Sequence, residues 1–166
     1  MIIILIQIKK CIGELMGNGG KYYLEDDLNK LVKSDTSLLL LHVNARSLNK
    51  NLDILTLYLD TLHHSFSVIA ISETWARDDN DVFLQISGYT FVTSKINDRD
   101  GGVALYVRSN ISYIRREDLC KTDRECYESV FNEIINVKKC KIIVGCIYRP
   151  PGQDVRKFND QCEVLI

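Results

Sequence analysis

No Cys-x-x-Cys pair occurs among the six cysteines of this 166-residue chain (Cys11, Cys120, Cys126, Cys140, Cys146 and Cys162). That absence removes the usual zinc spacing and leaves a disulfide framework unsupported, so a reduced, intracellular protein is expected. Charge of one sign is equally scarce: 21 Lys and Arg stand against 22 Asp and Glu, for a net charge of −1. Such a balance gives no general attraction to polyanions, and any contact with nucleic acid has to come from a local basic patch. Apolar runs of membrane-spanning length are missing too. The opening MIIILIQIKK holds about eight apolar residues with no basic region before them, which suits a short strand or helix rather than a span or signal peptide. A phosphate loop is also absent, because Gly101 and Gly102 are not followed by Gly-Lys-Ser/Thr.

What is present belongs to a folded protein. Hydrophobic residues make up 46% and charged residues 26%, ordinary values for a globular domain with its own core. Gly17, Asn18, Gly19 and Gly20 break the chain after its first segment, and Leu24, Leu28 and Leu31 then mark a weak amphipathic helix. Residues 1–36 are therefore expected to be an N-terminal appendage and 37–166 the domain proper.

From Leu38 the pattern sharpens. LLLLHV (38–43) is apolar on both faces, as in a strand covered on both sides. Ser47 is placed to cap a helix whose stripe is Leu48, Leu52, Leu55, Leu59 and Leu62. A second buried strand is expected over 67–72, followed by strands over 89–93, 102–107, 111–114, 129–137 and 141–147. The charged stretch RREDLCKTDRECYE reads as a solvated loop. Val155, Phe158, Cys162 and Leu165 share one face of a final helix that Asp154 can cap. The order predicts an α/β fold.

Three side chains stand at the C-terminal ends of apolar runs, where a rigid strand opens into a loop that substrate can reach. Glu73 ends the run IAIS, and its carboxylate is a hard-oxygen donor of the kind Mg²⁺ takes one or two of, beside waters and substrate phosphate. Asn44 ends the first strand; its amide can donate to a phosphate oxygen or orient a metal-bound carboxylate, although an Asx-type turn is the commoner use. Tyr148 closes IIVGCIY before Arg149, Pro150 and Pro151, where its phenol can reach a phosphate oxygen or simply close the core. Arg46 and Arg149 add charge for an anion, and amides at the start of the helix after Asn44 would favour one nearby. His42 shares Asn44's face and reads as a core histidine, and Trp75 as packing under the loop.

The words NARSLNK, ISETW, DRDGGVALYV and YRPP, in that order, resemble the endonuclease/exonuclease/phosphatase superfamily, and more narrowly the endonuclease domain of jockey-type non-LTR retrotransposons. The resemblance runs from Leu38 onward, roughly four-fifths of the chain. It implies a DNase I-like four-layered α/β sandwich, of which this chain would carry mainly the first sheet with its flanking helices. It also implies Mg²⁺-dependent phosphodiester hydrolysis that nicks DNA, with Glu73 as metal ligand and Asn44 and Tyr148 as catalytic partners. A nuclear location would follow from that role. The family's later Gly-Asp-Phe-Asn-like and Ser-Asp-His-like words do not occur here. The expectation is thus a partial domain, inactive alone, with an apolar sheet face exposed to the missing half or to another partner. Two alternatives remain open: a non-catalytic binding module, and a superfamily member acting on small phosphoesters.

Overall fold

A computed structural model of the chain describes residues 2–3, 6–8, 38–62, 64–76, 83–94, 101–123, 125–135 and 141–163. The expected helix around Leu24–Leu31, the glycine break before it, the polar loop after Ala76, the turn before Gly101, and Leu165 all lie outside the described residues. The molecule is mixed α/β, with two sheets and two helices among the described residues.

The smaller sheet is built from β3 (Leu40–Asn44), β4 (Val68–Ser72), β5 (Tyr89–Thr93) and β6 (Val103–Arg108). Its order is β3-β4-β6-β5. β3 and β4 run parallel, Leu40 opposite Val68 and Asn44 opposite Ser72, because helix α1 (Leu48–Thr61) carries the chain back between them. Ser72 also lies opposite Val103 of antiparallel β6, so Asn44, Ser72 and the Gly101–Gly102 corner reach the same end of the sheet.

The larger sheet centres on β9 (Tyr127–Ile135) and β10 (Lys141–Tyr148), which pair antiparallel over eight residues from Lys141–Ile135 to Tyr148–Glu128. β1 (Ile2–Ile3) and β2 (Ile6–Ile8) join the free edge of β10, so two pieces of the opening apolar run are strand. β7 (Tyr113–Arg115) and β8 (Lys121–Asp123) join that of β9. The stretch read as a solvated loop therefore contains β8 and the start of β9. Three alternating polar residues carry no apolar period, and only pairing with β9 makes them a strand. This second sheet is also fuller than the resemblance led us to expect.

Side-chain alternation explains how the layers assemble. Val68, Ala70, Val103, Leu105 and Val107 point from the smaller sheet towards Val130, Ile134, Ile142, Val144 and Cys146 of the larger, forming one inter-sheet core. The opposite faces of the same strands, Ile69, Ile71, Ala104 and Tyr106, pack under Leu48 and Leu55 of α1 and Leu62 just past its end. On the far side, Phe131, Ile143 and Ile147 pack under Phe158 and Cys162 of α2 (Val155–Glu163). The layers thus run helix, sheet, sheet, helix. Among the described residues the inner faces of β4, β6, β9 and β10 are covered, and the half-buried strands are those at the edges, β3 and β5 in the smaller sheet and β7 and β8 in the larger. The expected open sheet face is not found there. No helix among the described residues is long and apolar enough to cross a membrane.

Both helix starts depart or agree for clear reasons. Ser47 makes no side-chain cap bond and sits at φ 83°. Asn51 does the tying instead, its Nδ2 donating to the carbonyls of Ala45, Arg46 and Ser47 at 2.8, 3.2 and 3.3 Å. Asp154 caps α2 as its position suggests, Oδ1 accepting from the Arg156 amide at 2.7 Å and from the Lys157 amide at 3.4 Å.

Gly145 on β10 faces Phe131 on β9 in register, and a Cβ at Gly145 would lie 2.1 Å from the Phe131 ring. The ring occupies the space a side chain would need. Gly145→Ala should therefore destabilise the fold by about 1–3 kcal/mol, as overpacking does. Combining it with Phe131→Leu should recover part of that loss in a double-mutant cycle read by urea unfolding.

Candidate active site

The two sheets end together around Glu73. Beyond Ser72 the chain leaves β4 but keeps bonding sideways. On one side the amides of Ala45, Ser47 and Leu48 donate to the carbonyls of Ser72, Glu73 and Thr74 at 2.9, 2.9 and 2.8 Å. On the other, the amides of Thr74 and Trp75 donate to the carbonyls of Gly102 and Gly101 at 3.2 and 2.9 Å. Residues 72–75 are stitched into the ends of two neighbours at once.

That stitching holds an unusual backbone. Arg46, Ser47, Glu73 and Trp75 have φ of 42°, 83°, 54° and 49°, and they are the left-handed non-glycine residues among those described. Such conformations cost roughly 1–3 kcal/mol each and persist where the surroundings over-determine them, commonly at binding and catalytic sites. Their concentration at one end of the sandwich marks that end.

The side chains converge as the backbone does. Asn44 Nδ2 donates to Glu73 Oε1 at 2.9 Å, and the Tyr148 hydroxyl donates to the same oxygen at 3.2 Å. Asn44 Oδ1 meanwhile accepts from the Arg46 amide at 3.2 Å, the Asx-type turn expected of it. One side-chain amide thus closes the turn with its oxygen and holds the Glu73 carboxylate with its nitrogen. Tyr148 is buried against the inter-sheet core, Glu73 half-exposed and Asn44 exposed, so the cluster opens to solvent at its Asn44 side. Among the described residues, Glu73 Oε2 accepts no hydrogen bond.

The two arginines behave differently from this trio. Arg149 Nη1 donates to the Gln153 carbonyl at 2.7 Å and lies 3.5 Å from that of Pro150, so that donor clamps the loop leading to α2. The Arg46 side chain is exposed and makes no hydrogen bond among the described residues. The amides of Ser47 and Leu48, expected to favour an anion, are consumed by the Glu73 and Thr74 carbonyls. A groove of about 250 Å³ beside Asn44 is lined by Val43, Ile54, Leu55 and Tyr58 and lies on the α1 side, away from the Tyr148 side of Glu73.

One residue of this end escaped the sequence. Glu128, within the stretch taken for a loop, is only 1% exposed, and its Oε2 accepts from the Gly102 amide at 2.5 Å. Its signal was present: Glu128 shares the inward face of β9 with Val130, Asn132 and Ile134, so a carboxylate sits on a face that alternation turns to the core. The remaining polar neighbours are quieter. His42 Nε2 lies 3.2 Å from Ser72 Oγ, and burial holds its pKa below the ordinary 6.5. Cys146 is fully buried, its Sγ 3.6 Å from the Ile71 carbonyl, and burial pushes its thiol up to about 12, so it is inert packing. Cys120, Cys126, Cys146 and Cys162 are free thiols.

No protein-family model matches the chain, and no curated protein matches it. The reading of this site therefore stands on its geometry and on the resemblance of its flanking words.

His42 supplies a pH test of the geometry. With its folded pKa below 6.5, the unfolded chain takes up a proton first, so stability is retained above that value and lost as pH falls towards the folded value. Thermal melts between about pH 7.5 and about pH 5 should show wild type losing more stability than His42→Gln. Parallel slopes for the two proteins would mean that His42 titrates as a solvated group.

Proposed function

We propose that this end of the sandwich is the first half of a Mg²⁺-dependent phosphodiesterase site of the DNA-nicking, retroelement-endonuclease kind, within a DNase I-like four-layered sandwich. One observation carries the proposal. Three residues chosen from separate strand ends, Asn44, Glu73 and Tyr148, share a single carboxylate oxygen, and the strained backbone of the domain gathers around them. The helix-sheet-sheet-helix layering supports the same family reading.

The donor set suits the metal. Glu73 offers a carboxylate whose Oε2 accepts no hydrogen bond among the described residues, while Oε1 is held by Asn44 and Tyr148. Mg²⁺ accepts such a site, keeping its waters and adding substrate phosphate. When bound, the ion would neutralise charge on the phosphoryl oxygens.

The chain's own groups perform the rest. Asn44 Nδ2 and the Tyr148 hydroxyl fix the orientation of Glu73 through Oε1, leaving Oε2 for the ion. An amide NH₂ and a phenol are also donors of the kind that would hydrogen-bond a phosphate oxygen brought to this end of the sandwich. A base to activate water is expected in the family's Gly-Asp-Phe-Asn-like and Ser-Asp-His-like words, which this chain does not contain. Lacking a general base costs ~10²–10⁴-fold. Alone, the chain is proposed to bind metal and the DNA backbone weakly and to leave the phosphodiester intact.

Mn²⁺, a paramagnetic stand-in for Mg²⁺, tests this directly. Added to ¹⁵N-labelled protein, it should selectively broaden the amides around Asn44, Glu73 and Tyr148, and Glu73→Gln should abolish the effect while the remaining spectrum holds. Supercoiled plasmid with Mg²⁺ should stay at background nicking. Broadening elsewhere, or broadening indifferent to Glu73→Gln, would sink the metal assignment. Phosphate release from small phosphoesters without nicking would move the substrate away from DNA.

A further inference from the structure

Glu128 occupies a position that a purely structural sandwich has no need to make acidic. Its same-face neighbours on β9 are the apolar Val130 and Ile134 with the buried Asn132 between them, and a carboxylate buried there is costly unless strong donors satisfy it. One donor is the Gly102 amide, 2.5 Å from Oε2, a charge-assisted bond.

That bond lands on a corner with little freedom. Gly101 and Gly102 have φ of 97° and 88°, a region open to glycine at no steric cost. A Cβ on Gly101 would lie 2.9 Å from Glu128 Oε2, and a Cβ on Gly102 would lie 2.2 Å from Thr74 Oγ1. The corner is therefore wedged between Glu128 on one side and Thr74 on the other. Its two carbonyls take the amides of Thr74 and Trp75, the residues immediately after Glu73. A second route leads to the same place, since Glu128 lies opposite Tyr148 in the β9–β10 register and the Tyr148 hydroxyl holds Glu73 Oε1.

We propose that Glu128 is a positioning residue for Glu73: its carboxylate clamps the Gly101–Gly102 corner, and the corner holds the strained segment 73–75 so that Glu73 meets the donors of Asn44 and Tyr148. Its effect on metal binding rests on the reading of Glu73 as a metal ligand; its effect on the Glu73 carboxylate does not. Glu128 touches no reacting atom in this scheme. It acts from behind the ligand, as outer-shell partners of metal-bound carboxylates do.

The experiment compares wild type with Glu128→Ala, Glu128→Gln and Glu128→Asp, first without metal. Glu128→Ala should speed amide exchange at Gly102, Thr74 and Trp75 relative to the β9–β10 core. It should also shift the side-chain NH₂ signal of Asn44, which reports the bond to Glu73 Oε1. Glu128→Gln keeps an acceptor at the same reach and should restore both, whereas Glu128→Asp, one methylene short, should not. If Ala does not fold, the Gln and Asp pair carries the comparison. An unmoved Asn44 signal with a loosened corner would overturn the proposal, because corner and carboxylate would then be uncoupled. So would equal behaviour of Gln and Asp.

Mn²⁺ titration follows. Where wild type binds at Glu73, Glu128→Ala should weaken affinity by about 10–100-fold and Glu128→Gln should recover most of it. Unchanged affinity in Glu128→Ala would also overturn the role. If wild type takes no Mn²⁺ yet the Asn44 signal responds to Glu128→Ala, the positioning role stands and the metal reading falls.

Discussion

The sideways backbone bonding of residues 72–75 is the constraint on which the candidate site depends. A strand normally gives up its ladder where its neighbours stop. Here β4 ends, yet its continuation still receives the amides of Ala45, Ser47 and Leu48 and donates its own to Gly101 and Gly102. Each bond adds only about 1 kcal/mol net, but together they oppose the cost of left-handed backbone at Glu73 and Trp75. Held between both neighbours, those residues keep the carboxylate of Glu73 beside the donors of Asn44 and Tyr148.

The same bonding explains a division between anion-binding potential and scaffold. A helix start after an exposed asparagine invites the idea that free amides await a phosphate. In this molecule the Ser47 and Leu48 amides already have carbonyl partners, and the Arg149 Nη1 donor is spent on the loop before α2. What faces outward is the carboxylate of Glu73 with the two donors that hold it. The chemistry we propose accordingly rests on hard oxygen and neutral donors, with the exposed Arg46 two residues from Asn44. That agrees with a chain whose net charge is −1.

Much of the scaffold was legible in advance, and the reasons are local. β4, β6 and β10 announce themselves because strands buried on both faces have near-continuous apolar runs, β5 by its β-branched and aromatic residues, and α1 because its leucines recur at helical spacing. Glu73, Asn44 and Tyr148 could be picked out as strand-end polar residues flanked by distinctive words. Less legible were features made by long-range pairing. β8 is three polar-alternating residues that become a strand only beside β9, and Ser47 looks like a helix cap but is bent to φ 83° by its bond to Glu73. Glu128 was lost for the same reason, its inward direction being set by the register that places it opposite Tyr148.

The boundary between the two kinds of information is physical. Hydrophobic period, helix stripe and strand-end polar residues are properties of consecutive side chains, so the chain alone determined the α/β class, most element positions and the identity of the three converging residues. Convergence itself is another matter. That Asn44, Glu73 and Tyr148 meet at one oxygen, that four non-glycine residues are held left-handed, and that a buried glutamate stands behind them depend on contacts between segments up to 75 residues apart. Such contacts exist only once the two sheets have closed on their shared core, because local sequence sets what each strand buries but not which strand end it will face.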